Sequence, residues 1–281
     1  MNSPIISAED LKTILGRKGL ILVDARNSPN PKQTFAQGHL KGARFVDPNE
    51  DLADIKENLA IGGRHPLPEV SDFCVVLGRL GITPESHVVV YDDQNGANAA
   101  ARMWWMLRAL GHENVQVLEG GFQAGVAAGI PTSSAADQGE ETMPYPASGW
   151  NLGIASMEEV EAVAWDKNHL VIDVRSSERY RGEQEPIDLI AGHIPGAVNM
   201  PLTENMDKEG KFLSPEEIKA RYLPLMGELP NENIIIHCGS GVSACHTLLA
   251  MDYAGLGIPK LYVGSWSEWS RNDKPIGKSL G

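Results

Sequence analysis

The sequence is poor in cysteine and in basic charge, and each shortage closes off a class of protein. Only Cys74, Cys238 and Cys245 occur among 281 residues. Three cysteines cannot pair completely, so no disulfide framework is expected to hold the fold, and a reducing compartment such as the cytoplasm fits best. Lys and Arg number 24 against 37 Asp and Glu, a formal charge of −13. That balance supplies no basic face for nucleic acid or for an anionic membrane, so neither is expected as a partner. No apolar run approaches the length of a transmembrane helix. The opening residues Met1 to Asp10 lack the basic-then-apolar order of a signal peptide.

What the chain does contain is a plan used twice. Leu-Val-Asp-Ala-Arg at 22–26 is echoed by Val-Ile-Asp-Val-Arg at 171–175, and Gly-His-Leu-Lys-Gly-Ala at 38–43 by Gly-His-Ile-Pro-Gly-Ala at 192–197. His-Val-Val-Val-Tyr-Asp at 87–92 returns as Asn-Ile-Ile-Ile-His-Cys at 233–238. The echoes keep their order at a spacing of about 150 residues, which means two copies of a domain and not a solenoid. Each copy alternates strands and helices. In the first, a helix runs from Ser7 to Leu15, followed by a strand at Leu20–Asp24, a helix at Leu67–Leu80, a strand at His87–Tyr91, a helix at Ala99–Leu110 and a strand at Val115–Leu118. The second has a helix at Ser156–Trp165, a strand at Leu170–Asp173, a helix at Ser214–Tyr222, a strand at Ile234–His237, a helix at Ser243–Ala254 and a strand at Lys260–Val263. Alternating β and α elements predict two α/β domains, each a central parallel sheet flanked by helices. The expected boundaries are a first domain over 1–132, a polar linker over 133–150 and a second domain over 151–281.

Residues 234–245, Ile-Ile-Ile-His-Cys-Gly-Ser-Gly-Val-Ser-Ala-Cys, concentrate the chemistry. An apolar β-branched run reads as a strand buried on both faces. Cys238 follows at the carboxyl end, where open α/β sheets bind ligands. Gly239, Ser240 and Gly241 make a tight loop that opens into a helix. Loop N–H groups and a helix N-terminus favour an anion, and the anion available is the cysteine sulfur, which makes it a nucleophile. A lone cysteine is ordinarily buried and inert; the strand–loop–helix context reverses that reading, provided solvent reaches the thiol. In the first copy Asp92 holds the position of Cys238, so that copy is expected to keep the fold, lack thiol chemistry and form one wall of a cleft. Asp92 as a nucleophile is set aside, because no metal- or phosphate-binding pattern surrounds it. Cys74 reads as the core of an amphipathic helix, and Cys245 as a residue packed in the helix after the loop. Met103 to Met106 read as core and interdomain packing. His39 and His193 occur in both copies, including the one without a cysteine, and so read as structural.

Together with Trp-Trp-Met-Leu-Arg-Ala-Leu-Gly at 104–111 and Gly-Ser-Trp-Ser-Glu-Trp at 264–269, these motifs make the chain resemble the tandem-domain rhodanese sulfurtransferases over almost its whole length. The resemblance implies transfer of a sulfane sulfur from a donor to an acceptor through a persulfide on Cys238, with no metal and no cofactor. The implied acceptors are a protein thiol such as thioredoxin, a small thiol, or cyanide. The neutral loop Cys-Gly-Ser-Gly-Val is most like that of the 3-mercaptopyruvate sulfurtransferases; thiosulfate enzymes more often carry Cys-Arg-Lys-Gly-Val, whose cations suit a dianion. Thiosulfate transfer by the same persulfide stays open. Ser243 stands where the family usually has threonine.

The resemblance places Gly239, Gly241, Val242 and Ser243 around the donor and gives the donor carboxylate to Arg179, against the alternative of a surface salt bridge. A second family arginine falls at Ile187, so either Arg181 substitutes or donor binding differs. Ser240 and His65 match a family relay that supports proton transfer, against the alternative that His65 only caps a loop. The relay's acid falls near Asn49, where the match fails; Asp47 and Asp51 are nearby. A phosphatase with a Cys-x5-Arg loop is excluded by Ala244. A non-catalytic binding module is disfavoured by the intact Cys238 loop.

Overall fold

The computed structural model describes residues 3–135 and 139–278. The chain forms two compact units. Unit one comprises residues 1–54 and 68–151, and unit two residues 55–67 and 152–281. The segment Ile55–Leu67 lies within the first copy by sequence but belongs to the second unit.

In unit one, five parallel strands run in the order β1 (Ile5–Ile6), β6 (Val115–Leu118), β5 (His87–Tyr91), β2 (Leu20–Asp24) and β4 (Ala43–Phe45). A short antiparallel pair, β3 (His39–Leu40) with β7 (Thr132–Ser133), lies apart. The helices are α1 (Ala8–Ile14), α2 (Pro31–Gln37), α3 (Val70–Arg79), α4 (Ala99–Ala109) and α5 (Gly121–Ala127). β2 and β5 are buried along nearly their whole length, as continuous apolar strands covered on both faces require. One face packs Leu22, Val89 and Tyr91 against Leu11 and Ile14 of α1 and Phe35 of α2. Trp104 and Trp105 on α4 are fully buried.

Unit two repeats the order with β8 (Ile154–Ala155), β12 (Lys260–Tyr262), β11 (Ile234–His237), β9 (Leu170–Asp173) and β10 (Val198–Asn199), again all parallel. Its helices are α6 (Met157–Val163), α7 (Ser177–Arg181), α8 (Pro215–Met226), α9 (Ala244–Tyr253) and α10 (Ser265–Trp269). Ser214 and Glu217 start α8 with a reciprocal capping box. The predicted strands and long helices are present, with ends shifted by a few residues. Missing from the sequence reading are the two-residue strands, the three-residue β4 and the short helices α2, α5, α7 and α10, which are too brief to carry a hydrophobic period.

The repeat reaches individual side chains. Arg26 bonds Asp24 at 2.8 Å, donates to the Gly38 carbonyl and lies over the Phe122 ring. Arg175 bonds Asp173 at 2.6 Å, donates to the Gly192 carbonyl and lies over Trp266. The Gly-His histidines are structural: His39 Nδ1 bonds the Phe35 carbonyl and His193 Nδ1 that of Tyr180, and each ring stacks on the aromatic ring beside it. Cys74 is buried in α3, and the buried Cys245 donates its Sγ–H to the Gly241 carbonyl at 3.4 Å.

Candidate active site

β11 ends at His237 and delivers Cys238 to the carboxyl edge of the second sheet. The loop 239–243 then turns into α9. Its carbonyls are tied down from one side: Trp266 N–H donates to Cys238 O at 3.1 Å and Ser267 N–H to Gly239 O at 2.8 Å. The Cys238 N–H goes to Ser265 Oγ at 3.2 Å. Ser265 is a non-glycine residue at φ 54°, a strained position of the kind found at functional sites. Among the described residues, the N–H groups of Gly239, Ser240, Val242 and Ser243 donate to no protein acceptor. Gly241 makes the turn at φ 74°, where a Cβ would lie 2.4 Å from the Val263 carbonyl oxygen, so only glycine fits.

Positive charge gathers beside this loop. A Cβ on Gly239 would meet Arg64 Nη2 at 3.0 Å, Asp188 Oδ2 at 3.4 Å and Arg179 Nη1 at 3.5 Å. Gly239 has an ordinary φ, so its missing side chain is a matter of space for these guanidinium groups. Arg179 is held by Glu185 at 2.7 Å and Asp188 at 3.1 Å. Arg64 binds Asp188 at 3.0 Å and Arg271 binds it at 3.3 Å. Burial works against the charge of Glu185, yet bonds from Arg179 and from backbone N–H groups hold its pKa below the usual carboxylate range. Glu185 therefore stays anionic and fixes Arg179 by two nitrogens, leaving Nη1 toward the loop. Burial likewise opposes ionisation of Asp173, and the adjacent Arg175 more than compensates, so its pKa is lowered. Among the described residues no group of three His, Cys, Asp or Glu is arranged to hold a metal.

Arg64 arrives on the segment 55–67. Gly62 N–H donates to Glu268 Oε1 at 2.7 Å, Arg64 N–H to Ser267 Oγ at 3.0 Å and Asn272 Nδ2 to Ala60 O at 2.8 Å. Gly63, at φ 77°, passes so close to Gly264 that a Cβ would lie 2.4 Å from its carbonyl oxygen. The segment thus carries Arg64 and its neighbour His65 onto the second unit.

Rhodanese-like domains match at residues 7–128 and 156–272. The chain belongs to the rhodanese family. A 3-mercaptopyruvate sulfurtransferase of Mus musculus is 35% identical, covering 95% of this chain and 91% of its own length. A thiosulfate sulfurtransferase of the same organism is 36% identical with the same coverage. The structure of 3-mercaptopyruvate sulfurtransferase from Leishmania major superposes with a TM-score of 0.81 at 30% identity, over 96% of this chain and 75% of that one. These rhodanese relatives make the chain a sulfurtransferase enzyme, as its motifs imply.

Within this rhodanese fold, Arg179 lies beside Gly239, the residue after Cys238 and before Ser240. Arg181 does not join them: it pairs with Glu183 at 2.7 Å on the exposed side of α7, and Ile187 points to solvent. Arg64 and Asp188, which sequence reasoning misses, lie at the loop instead. The only signal for Arg64 is its place next to His65. Asp47 and Asp51 belong to unit one, where Asp51 accepts from Arg79 at 2.7 Å and from Asp47 N–H, and Asp47 accepts from Asn49 N–H. The expectation of a solvent-reachable thiol is not met in this state, because Cys238 is 1% exposed. Arg64, Arg179 and Asp188 lie against Gly239, the next residue in the chain.

Proposed function

We propose that the chain moves a sulfane sulfur from 3-mercaptopyruvate to a thiol or cyanide through a persulfide on Cys238. The observation that carries this reading is the pair Arg64 and Arg179 lying against Gly239, the residue next to the thiol. Two guanidinium groups with nitrogens turned to one point bind a carboxylate and fix its orientation. In binding the donor they draw away from Gly239, which opens the way to a sulfur otherwise covered. Arg64 takes the place of the family arginine absent at Ile187.

The Cys238 thiolate attacks the donor sulfur. The carbon–sulfur bond breaks with its electron pair moving to carbon, and the resulting pyruvate enolate takes up a proton. Ser240 and His65 form the relay that supplies it. The persulfide on Cys238 is stabilised by the N–H groups of Gly239, Ser240, Gly241, Val242 and Ser243 and by the start of α9, in the manner of an oxyanion hole. An acceptor thiolate or cyanide then takes the outer sulfur and returns the thiolate of Cys238. Catalysis belongs to the second domain, residues 151–281, with the segment 55–67; the first domain, 1–132, joined through the linker 133–150, is non-catalytic because Asp92 replaces the cysteine. Three unpaired thiols suit the reducing cytoplasm.

Thiosulfate is the second reading, favoured by the same two arginines, which also suit a dianion. Steady-state rates with both donors and one acceptor decide between them. The expected result is a higher kcat/KM for 3-mercaptopyruvate, because Gly239 and Ser240 add no charge of their own; a preference for thiosulfate would replace the first reading with the second.

A further inference from the structure

His237 ends β11, is fully buried, and has no part in the chemistry described above. Its Nδ1 lies 3.2 Å from the carbonyl oxygen of Cys238. Its Nε2 lies 3.9 Å from Asp173 Oδ2, past hydrogen-bond reach, and bonds to nothing among the described residues. A carbonyl oxygen only accepts, so the ring carries its proton on Nδ1. Burial holds the pKa of His237 below the ordinary imidazole range, against the pull of Asp173, so the ring keeps that one proton at neutral pH. The groups that act on it are Asp173 and Arg175 at the end of β9, Tyr262 of β12 with its ring centroid 6.3 Å away, and His193. The Cys238 carbonyl therefore receives two donors, His237 Nδ1–H and the Trp266 N–H at 3.1 Å.

The first copy serves as an internal control. Tyr91 stands where His237 stands, in register with Asp24 as His237 is with Asp173. Its hydroxyl donates to Asp24 Oδ2 at 2.9 Å and accepts the Leu40 N–H at 3.0 Å. Among the described residues the Asp92 carbonyl then receives the Phe122 N–H at 2.8 Å and no side chain. The second donor thus belongs to the copy that carries the cysteine. The Cys238 carbonyl and the Gly239 N–H are two ends of one peptide unit, and among the described residues no peptide bond is cis. In a trans unit these groups point to opposite sides. A donor on the oxygen fixes the plane of the unit and, by drawing electron density to oxygen, makes the N–H a stronger donor. That N–H meets no protein acceptor among the described residues. We propose that His237 is a positioning residue for the sulfur anion: through the Cys238 carbonyl it orients and polarises the peptide whose N–H, on Gly239, stabilises the Cys238 thiolate and its persulfide. The inference rests on the persulfide reading given above.

The test uses the full chain and two nearly isosteric substitutions. His237→Asn keeps an amide donor in the place of Nδ1, and His237→Leu removes it. Cys238 ionisation is read without sulfur donor, from ultraviolet thiolate absorbance against pH, each protein blanked against the same protein carrying Cys238→Ser. Thermal midpoints confirm folding. His237→Leu is expected to lower the acid dissociation constant of Cys238 about three- to tenfold, the worth of one hydrogen bond. The pH profile of kcat/KM for 3-mercaptopyruvate should move to higher pH by the same factor, with KM on the alkaline plateau unchanged because Arg64 and Arg179 are untouched. His237→Asn should stay within about twofold of the parent. His237→Tyr, which installs the first copy's residue, should shift the ionisation as His237→Leu does, and it carries the test if the leucine variant does not fold. An unshifted ionisation in the variants without the donor, or equal shifts in His237→Asn and His237→Leu, would overturn the role given to His237. A parent that takes up no sulfur from 3-mercaptopyruvate, however its thiol titrates, would count against the persulfide reading instead.

Discussion

The two copies of the fold end their central strand in the same turn and seat different groups there. After β5 the chain places Asp92, and after β11 it places Cys238. In the first loop Asp92 Oδ1 accepts N–H groups from Gln94 at 2.9 Å and Gly96 at 2.8 Å, and Oδ2 accepts from Asn98 at 3.1 Å and Ala100 at 3.2 Å. Phe122 N–H holds the Asp92 carbonyl as Trp266 N–H holds that of Cys238. Gly96 and Gly241 make the turns at φ 76° and 74°. The first loop therefore displays what this turn is built to hold: an acceptor group, bound by converging backbone donors. In the second loop the N–H groups of Gly239, Ser240, Val242 and Ser243 donate to no protein acceptor among the described residues. The duplication thus separates a nest filled by its own side chain from one available to chemistry.

The sharpest break of that comparison is Cys238→Ser, which should reduce transfer to all acceptors to the background rate while leaving the fold intact. Activity retained in steady-state assays would mean that the nest is not the reaction site. Next comes Asp92→Ala, which strands four N–H donors in a buried site. Urea unfolding should report a loss of about 2–3 kcal/mol in the first domain, against a loss under about 1 kcal/mol in the second domain for Cys238→Ser, whose loop has no such bonds to lose. Equal costs would mean that the two loops are loaded alike.

Smaller, and confined to the second copy, is the loss of a donor-binding cation. Arg179→Ala and Arg64→Ala should each raise the KM for 3-mercaptopyruvate about tenfold, the worth of a charged hydrogen bond, with little change in the KM for cyanide; matching shifts in both constants would remove their assigned role.

The smallest effect is in pH dependence, and its sign differs between the copies. Asp173 and Glu185 have lowered pKa values. Their stabilisation of the second unit is complete above the unfolded-state carboxylate range and is lost as pH falls through their folded values. Burial raises the pKa of Asp92, with the four loop N–H groups opposing. Its contribution to the first unit is therefore lost as pH rises through the folded value. Hydrogen exchange resolved by domain should find acid weakening the second unit more than the first; the reverse order would show that one of these directions is wrong.

Much of this difference is legible in the residues themselves. The echo of Leu-Val-Asp-Ala-Arg in Val-Ile-Asp-Val-Arg fixes the duplication, and β-branched runs followed by Asp92 or Cys238 fix the two loops. Sheet order needs pairing information that a strand's own residues do not carry. The two-residue strands and the short helices lie below the length at which a period can be counted. Arg64 and Asp188 are hidden for a different reason. Arg64 belongs by sequence to the first copy, and only the passage of Ile55–Leu67 onto the second unit brings it to Gly239. Asp188, after the departure at Ile187, has no counterpart in the first copy to draw attention to it. The burial of Cys238 is equally unreadable, because exposure depends on packing by parts of the chain distant in sequence.

The most direct measurement is the intact mass of the protein after incubation with 3-mercaptopyruvate or thiosulfate without an acceptor, followed by peptide mapping. A single added sulfur, located on Cys238, released by cyanide and absent from Cys238→Ser, is the predicted result. No added sulfur with either donor, or sulfur carried on Cys74 or Cys245, would contradict the account.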